Sequence, residues 1–189
     1  MGCFEFVPSV IPEVVEIAPR VFGDARGYFM ETWNQSDFRE AGIDVPFIQD
    51  NCSQSVQGTL RGLHYQQQHA QGKLVRAIRG EIFDVAVDLR ESSDTFGQWV
   101  GAVLSCENRH MLWIPPGFAH GFYVMSEMAE FSYKCTDRYA PEYEVALRWD
   151  DPELGIAWPI PVGTEPLLSE RDRVGIPLSE APIYRSGRT

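Results

Sequence analysis

The residues that could do chemistry are polar side chains placed among apolar ones. In Phe118-Ala119-His120-Gly121-Phe122-Tyr123-Val124, a strand period of two puts His120 on the face of Phe118, Phe122 and Val124. Tyr133 shares the face of Phe131 and Cys135, while Glu130, Ser132 and Lys134 point the other way. Lys73 has the parity of Val75 and Ala77, and the chain's only other lysine is Lys134. His64 sits in Leu60-Arg61-Gly62-Leu63-His64-Tyr65, flanked by Arg61. Burying an unpaired donor or charge costs on the order of 1–3 kcal/mol or more. A β-barrel interior carrying several such groups therefore reads as a wet, ligand-binding cavity rather than a dry core.

Each of these residues has a plainer reading when taken singly. An inward histidine can be a hydrogen-bonded core residue, and an inward tyrosine can pack with its hydroxyl on a backbone carbonyl. Lys73 resists such a reading, because a buried ammonium needs a partner. His69 and His110 lie in polar, loop-like surroundings and are given no role, and Asp84 and Asp88 read as a solvated sheet face. The spacing argues against a metal centre. Metal-binding barrels of the cupin type carry two histidines one residue apart, a glutamate shortly after and a distant histidine. Here His64 is followed by Tyr65 and Gln66, and His120 alone falls short of the usual three protein ligands.

The elements that must position these groups are short β-type runs separated by turn residues. They are expected at 14–17, 28–32, 47–49, 59–65, 74–79, 81–89, 99–105, 111–114, 119–124, 130–135 and 145–149. Phe22-Gly23-Asp24, Arg79-Gly80 and Pro115-Pro116-Gly117 punctuate them. Within 81–89, Phe83, Val85, Val87 and Leu89 fall on one face and Asp84, Ala86 and Asp88 on the other. Two stretches look helical: 36–41, capped by Asn34 or Ser36 and stopped at Gly42, and a brief one at 151–154. Many short strands with so little helix predict an all-β protein, a jelly roll or closed barrel, in a single domain spanning 1–189. From about residue 159 the chain turns proline-rich and loses periodicity, as a tail across the outside or over a barrel mouth.

The composition narrows the function. The 189 residues are 44% hydrophobic and 23% charged, the range of an ordinary globular domain. A formal net charge of −11 repels phosphate backbones and anionic lipid, so neither a nucleic acid nor a membrane surface is expected as partner. If the substrate is an anion, its cationic contacts must be gathered in a pocket. No stretch approaches the roughly 20 apolar residues of a membrane span. The first residues carry no secretory signal pattern, and Cys3, Cys52, Cys106 and Cys135 form no CxxC pair. A cytoplasmic protein with reduced thiols is expected.

Longer strings are more specific. Phe22-Gly23-Asp24-Ala25-Arg26-Gly27-Tyr28-Phe29-Met30-Glu31, Gln49-Asp50-Asn51, Leu60-Arg61-Gly62-Leu63-His64-Tyr65-Gln66, Gln71-Gly72-Lys73-Leu74-Val75-Arg76 and Trp113-Ile114-Pro115-Pro116-Gly117-Phe118-Ala119-His120-Gly121-Phe122 occur in this order. With Tyr133-Lys134-Cys135-Thr136, Tyr139-Ala140-Pro141 and Leu168-Ser169-Glu170-Arg171-Asp172, they resemble the dTDP-4-dehydrorhamnose 3,5-epimerase family over roughly residues 10–175. The resemblance implies a cupin-like jelly roll, usually a homodimer, working without metal or other cofactor on dTDP-4-dehydro-6-deoxy-D-glucose. Both carbons inverted, C3 and C5, are α to the C4 ketone. The reaction therefore needs a base on one face, an acid on the other and a cation at the enolate oxygen.

By the same resemblance, His64 matches the base, Asp172 the carboxylate that orients it, Tyr133 the acid and Lys73 the enolate-stabilising residue. Arg26 and Arg61 match diphosphate contacts. Glu31, Gln49 and Asn51 match nucleotide or sugar contacts, some of which reach a neighbouring subunit's site. His120 and Glu144 match further substrate contacts, and Tyr139 matches the aromatic that stacks on thymine. Two positions depart from the pattern. Arg171 stands where lysine is frequent, keeping charge but not geometry. Cys52 stands where histidine is common, and is expected to repack a small core position. The alternatives are a single-site 3- or 5-epimerase on the same fold, a metal-dependent cupin enzyme and a non-catalytic sugar-nucleotide sensor.

Overall fold

The structure, a computed structural model, describes residues 2–185; Met1 and 186–189, the ends of the expected domain and of its tail, lie outside the described residues. In chain order the strands are β1 (Phe4–Pro8), β2 (Val15–Pro19), β3 (Val21–Asp24), β4 (Gly27–Met30), β5 (Gln49–Val56), β6 (Leu60–Gln66) and β7 (Lys73–Arg79). They continue as β8 (Glu81–Asp88), β9 (Trp99–Ser105), β10 (Met111–Ile114), β11 (Phe118–Val124), β12 (Met128–Cys135) and β13 (Glu144–Ala146). The helices are α1 (Gln35–Glu40) and α2 (Glu170–Arg173), with single 3-10 turns at Pro141–Tyr143 and Leu178–Glu180.

Eleven of these strands form two antiparallel sheets. One runs β1-β2-β10-β7-β12-β5, the other β13-β6-β11-β8-β9, and β3 and β4 make a separate hairpin. This is the expected two-sheet, all-β architecture. Between the sheets lies a core of Val75, Leu112, Ile114 and Phe131 from the first and Ile82, Ala86, Val100, Leu104, Phe118 and Phe122 from the second. Burying such a side chain is worth about 1.5–3 kcal/mol.

Two further clusters coat the outer faces, and they overturn one sequence expectation. On β8, Val85 and Val87 do share a face, but that face points outward. There Leu154, Ile156, Trp158, Ile176, Leu178 and Tyr184 of the C-terminal segment cover it. Asp84 and Asp88 are on the opposite face and are fully buried, not solvated. Alternation separated the two faces correctly; it could not say which one the tail would cover. Asp88 is satisfied by Arg90, Ser93 and Thr95, closing the loop that follows β8.

On the other sheet, Ile17, Leu74, Met111 and Trp113 pack under Phe38 of α1. Asn34 caps α1 by accepting from the Ser36 and Asp37 N–H groups. The stretch 151–154 is a turn rather than a helix. Buried Asp151 accepts from the Glu153 and Leu178 N–H groups, so it ties that turn to the C-terminal segment. The strands β1 and β3 and most of β5 lie outside the expected runs, because their residues mix polar and exposed positions.

Candidate active site

Two glycines bring the two histidines together. An added Cβ on Gly62 would lie 2.5 Å from the Gly121 Cα, and Gly62 has φ +117°, so β6 and β11 approach closely only with glycine there. His64 pairs with His120, whereas Arg61 pairs with Phe122: three steps along β6 match two along β11. That bulge shifts the parity of β6. Arg61 and His64, three residues apart, consequently face the same cavity, which strict alternation forbids. The cavity holds about 530 Å³ and is lined among others by Arg61, His64, Lys73, His120, Tyr133, Ser169, Arg171 and Asp172.

The C-terminal segment delivers the carboxylate. Leu167 exchanges backbone hydrogen bonds with Gly58 and Leu60, and Ile176 with Ala146 and Arg148. Between these anchors, α2 is held at the cavity with Ser169 as its N-cap. His64 Nε2 lies 2.6 Å from Asp172 Oδ1. The Gly62 N–H donates to that same oxygen, and the Ser169 hydroxyl donates to Asp172 Oδ2 at 2.6 Å. Burial pushes the Asp172 carboxyl up, but these donors outweigh it and leave it below the usual range. An ionised Asp172 accepts a proton-bearing Nε2, so the free lone pair of neutral His64 is on Nδ1. Burial holds the imidazole below its ordinary pKa, against the opposing pull of Asp172.

The other sheet supplies the facing wall. Tyr133 on β12 and Lys73 on β7 both line the cavity, opposite His64 and His120. Burial raises the Tyr133 phenol, reinforced by Cys135 and opposed by Arg61. Burial also lowers the Lys73 ammonium, against the fields of Cys135 and Asp84. Among the described residues the Lys73 ammonium makes no hydrogen bond. His120 Nε2 contacts both oxygens of Asp84, at 3.1 and 2.9 Å. Desolvation depresses His120 and raises Asp84, each against the attraction of the other.

At the rim, Glu144 on β13 joins three groups. It pairs with Arg171, accepts the Tyr139 hydroxyl at 2.5 Å and lies 3.9 Å from His64 Nδ1. Tyr139 is half exposed and its N–H donates to Gln49. Gln49 in turn donates to Asn51, the residue paired with Tyr133 across β5 and β12. Arg26 and Glu31 are not brought to this cavity. The Arg26 side chain is 90% exposed in the β3–β4 turn and pairs with Asp24, and Glu31 accepts from Asn34. Cys52 is exposed on the outer face beside Arg76 and Ser132, so it does not repack a core position. His69 and His110 pair with Asp137 and Glu16.

Sequence reasoning missed Ser169 and Asp84. Ser169-Glu170-Arg171-Asp172 has the spacing of a capping box, which could have pointed to Ser169. For Asp84, nothing in the alternation of β8 showed that its face was the inner one. Among the described residues, no group of three or more His, Cys, Asp or Glu could hold a metal ion.

The chain is similar to known proteins over most of its length. The family model for dTDP-4-dehydrorhamnose 3,5-epimerase matches residues 8–180. The dTDP-4-dehydrorhamnose 3,5-epimerase of Pseudomonas aeruginosa is 59% identical over 175 residues, 92% of this chain and 96% of that protein. The enzyme of the same name from Methanothermobacter thermautotrophicus is 53% identical over 184 residues, 97% of this chain and all of that one. Among solved structures, the dTDP-6-deoxy-D-glucose-3,5-epimerase of Legionella pneumophila, crystallised with dTDP-4-keto-L-rhamnose, superposes with a TM-score of 0.93. It is 48% identical and covers 96% of this chain and 98% of its own. A cupin-like jelly roll with this cavity and these relatives places the chain in the dTDP-4-dehydrorhamnose 3,5-epimerase family.

Proposed function

We propose that the cavity converts dTDP-4-dehydro-6-deoxy-D-glucose to dTDP-4-dehydro-L-rhamnose by proton transfer at C3 and C5. One observation carries the reading: an imidazole paired to a carboxylate and a phenol face a single cavity from opposing sheets, with an ammonium that has no hydrogen bond of its own. In each half-reaction His64 Nδ1 takes the proton α to the ketone, and the electron pair of the C–H bond moves to the C4 oxygen. The Lys73 ammonium stabilises that enolate oxygen. The Tyr133 hydroxyl then gives its proton to the carbon from the opposite face. His64 returns its proton to solvent and Tyr133 takes one up, which resets the pair. Asp172 holds the imidazole tautomer and stabilises its cationic form.

Arg61 and Arg171 are suited to the diphosphate, since a guanidinium binds phosphate oxygens bidentately. His120 and Glu144 contact the sugar, Tyr139 stacks on the thymine at the rim, and Gln49 and Asn51 support that end of the site. Arg26 and Glu31 serve a neighbouring copy in a homodimer. Supporting this, Tyr28 and Phe29 stand exposed on the same hairpin, and a buried Arg76 Nη1 on the open sheet face has no hydrogen-bond partner among the described residues. Four free cysteines support a cytoplasmic setting, and no helix among the described residues is long and apolar enough to cross a membrane.

The test is turnover of the 4-keto sugar in deuterated water, read by NMR and mass spectrometry. Deuterium at both C3 and C5 is expected. Label at one carbon alone makes the protein a single-site epimerase, and label at neither removes the acid–base assignment. Loss of exchange on adding a chelator supports a metal-dependent enzyme instead.

A further inference from the structure

We propose that Ser169 is a positioning residue of the epimerisation, its hydroxyl fixing the Asp172 carboxylate in the orientation that presents Oδ1 to His64. The inference rests on His64 being the base. Ser169 faces the cavity and is engaged twice by one residue: its Oγ accepts from the Asp172 N–H at 3.2 Å and donates to Asp172 Oδ2 at 2.6 Å. A serine hydroxyl has a single proton to give. With that proton on Oδ2, the Asp172 side chain cannot turn without breaking a charge-assisted hydrogen bond, and Oδ1 stays on His64 Nε2. The Gly62 N–H, from the bulged turn of β6, closes the third side of the carboxylate.

The same contact tunes the base. Every donor that Asp172 receives besides His64 withdraws negative charge from the oxygen facing the imidazole, so it holds the imidazole less basic and free to accept a proton at neutral pH. The other charges around His64 are Glu144 from β13, Arg171 from α2, Lys73 from β7, and the His120–Asp84 pair on β11 and β8. None of these touches Asp172 Oδ2, so the influence through that oxygen belongs to Ser169. A serine that served only as helix cap would affect folding alone.

The experiment compares Ser169→Ala, Ser169→Gly and Ser169→Thr with the parent enzyme, reading kcat, the pH profile of kcat/KM and thermal stability. Glycine is a tolerable cap without a hydroxyl, which separates capping from hydrogen bonding. Ala and Gly variants are expected to lose roughly tenfold in kcat at pH 7. Their acid limb should move up by about half a pH unit as the carboxylate grows more basic. Thr, which keeps the hydroxyl, restores the parent limb. A limb unmoved in both Ala and Gly, with kcat unchanged or following only stability, overturns the proposal. Should the parent enzyme fail to exchange deuterium at either carbon, the base assignment falls; exchange in the parent with an unmoved limb removes the role of Ser169 alone.

Discussion

Two His–Asp pairs meet the same cavity, and they differ in ways that favour one of them as the proposed base. His64 and His120 are opposite each other on β6 and β11, each with a carboxylate on Nε2. The His64 side chain is 26% exposed and its Nδ1 is open toward the cavity, whereas His120 is 7% exposed and packs near the Phe131 ring. Asp172 receives three hydrogen bonds and is held below the ordinary carboxylate range; among the described residues Asp84 receives only His120, and it is pushed above that range. A carboxylate that stays ionised can stabilise an imidazolium across the full working range. One that burial drives toward its neutral form cannot. In the proposed mechanism the first pair cycles a proton, and the second holds a shape and a polar surface against the substrate.

The harshest way to break this contrast is to remove each imidazole in turn. His64→Ala should lower exchange at C3 and C5 by about 10⁴-fold. His120→Ala, measured in the same assay, should lose about tenfold and mainly in KM. Equal losses would erase the distinction between the pairs. Next comes the phenol that faces both histidines. Tyr133→Phe should cut turnover by about 10²-fold while leaving product affinity, measured by calorimetry, close to the parent value. A parent-like rate would remove Tyr133 as the acid.

The smallest and sharpest test is pH. The proposed mechanism needs neutral His64, protonated Tyr133 and the Lys73 ammonium. The acid limb of kcat/KM should therefore fall below the ordinary imidazole value of about 6.5, and the alkaline limb, because burial lowers Lys73 while it raises Tyr133, below the ordinary lysine value of about 10.5. Asp172 raises His64, so Asp172→Asn should move the acid limb to still lower pH as it reduces kcat. If Asp84→Asn moved the limb equally, the two carboxylates would be interchangeable.

Much of this site was legible in the chain. Parity alone placed His120, Tyr133 and Lys73 on inner faces, and the structure puts all three on the cavity. What escaped has identifiable physical causes. Arg61 and His64 share a wall only because a bulge adds one residue to β6, and a bulge leaves no mark on hydrophobic period. Alternation on β8 points Asp84 to solvent because its opposite face is the apolar one; the cover of that apolar face is a distant segment with no periodicity of its own. Asp172 entered by resemblance, since nothing local in an α2 of four residues announces a contact with β6. Arg26 and Glu31 match by sequence yet stand away from the cavity of their own chain.

The imidazole and the carboxylate of the working pair are separated by 108 residues. The carboxylate lies on a segment pinned to the sheet by Leu167 and Ile176. On a ribosome the histidine therefore emerges long before its partner, and a chain interrupted before residue 172 lacks the carboxylate that holds the imidazole. The pair is complete only once residue 172 has been made, so it is assembled from two stretches of chain that synthesis delivers far apart in time.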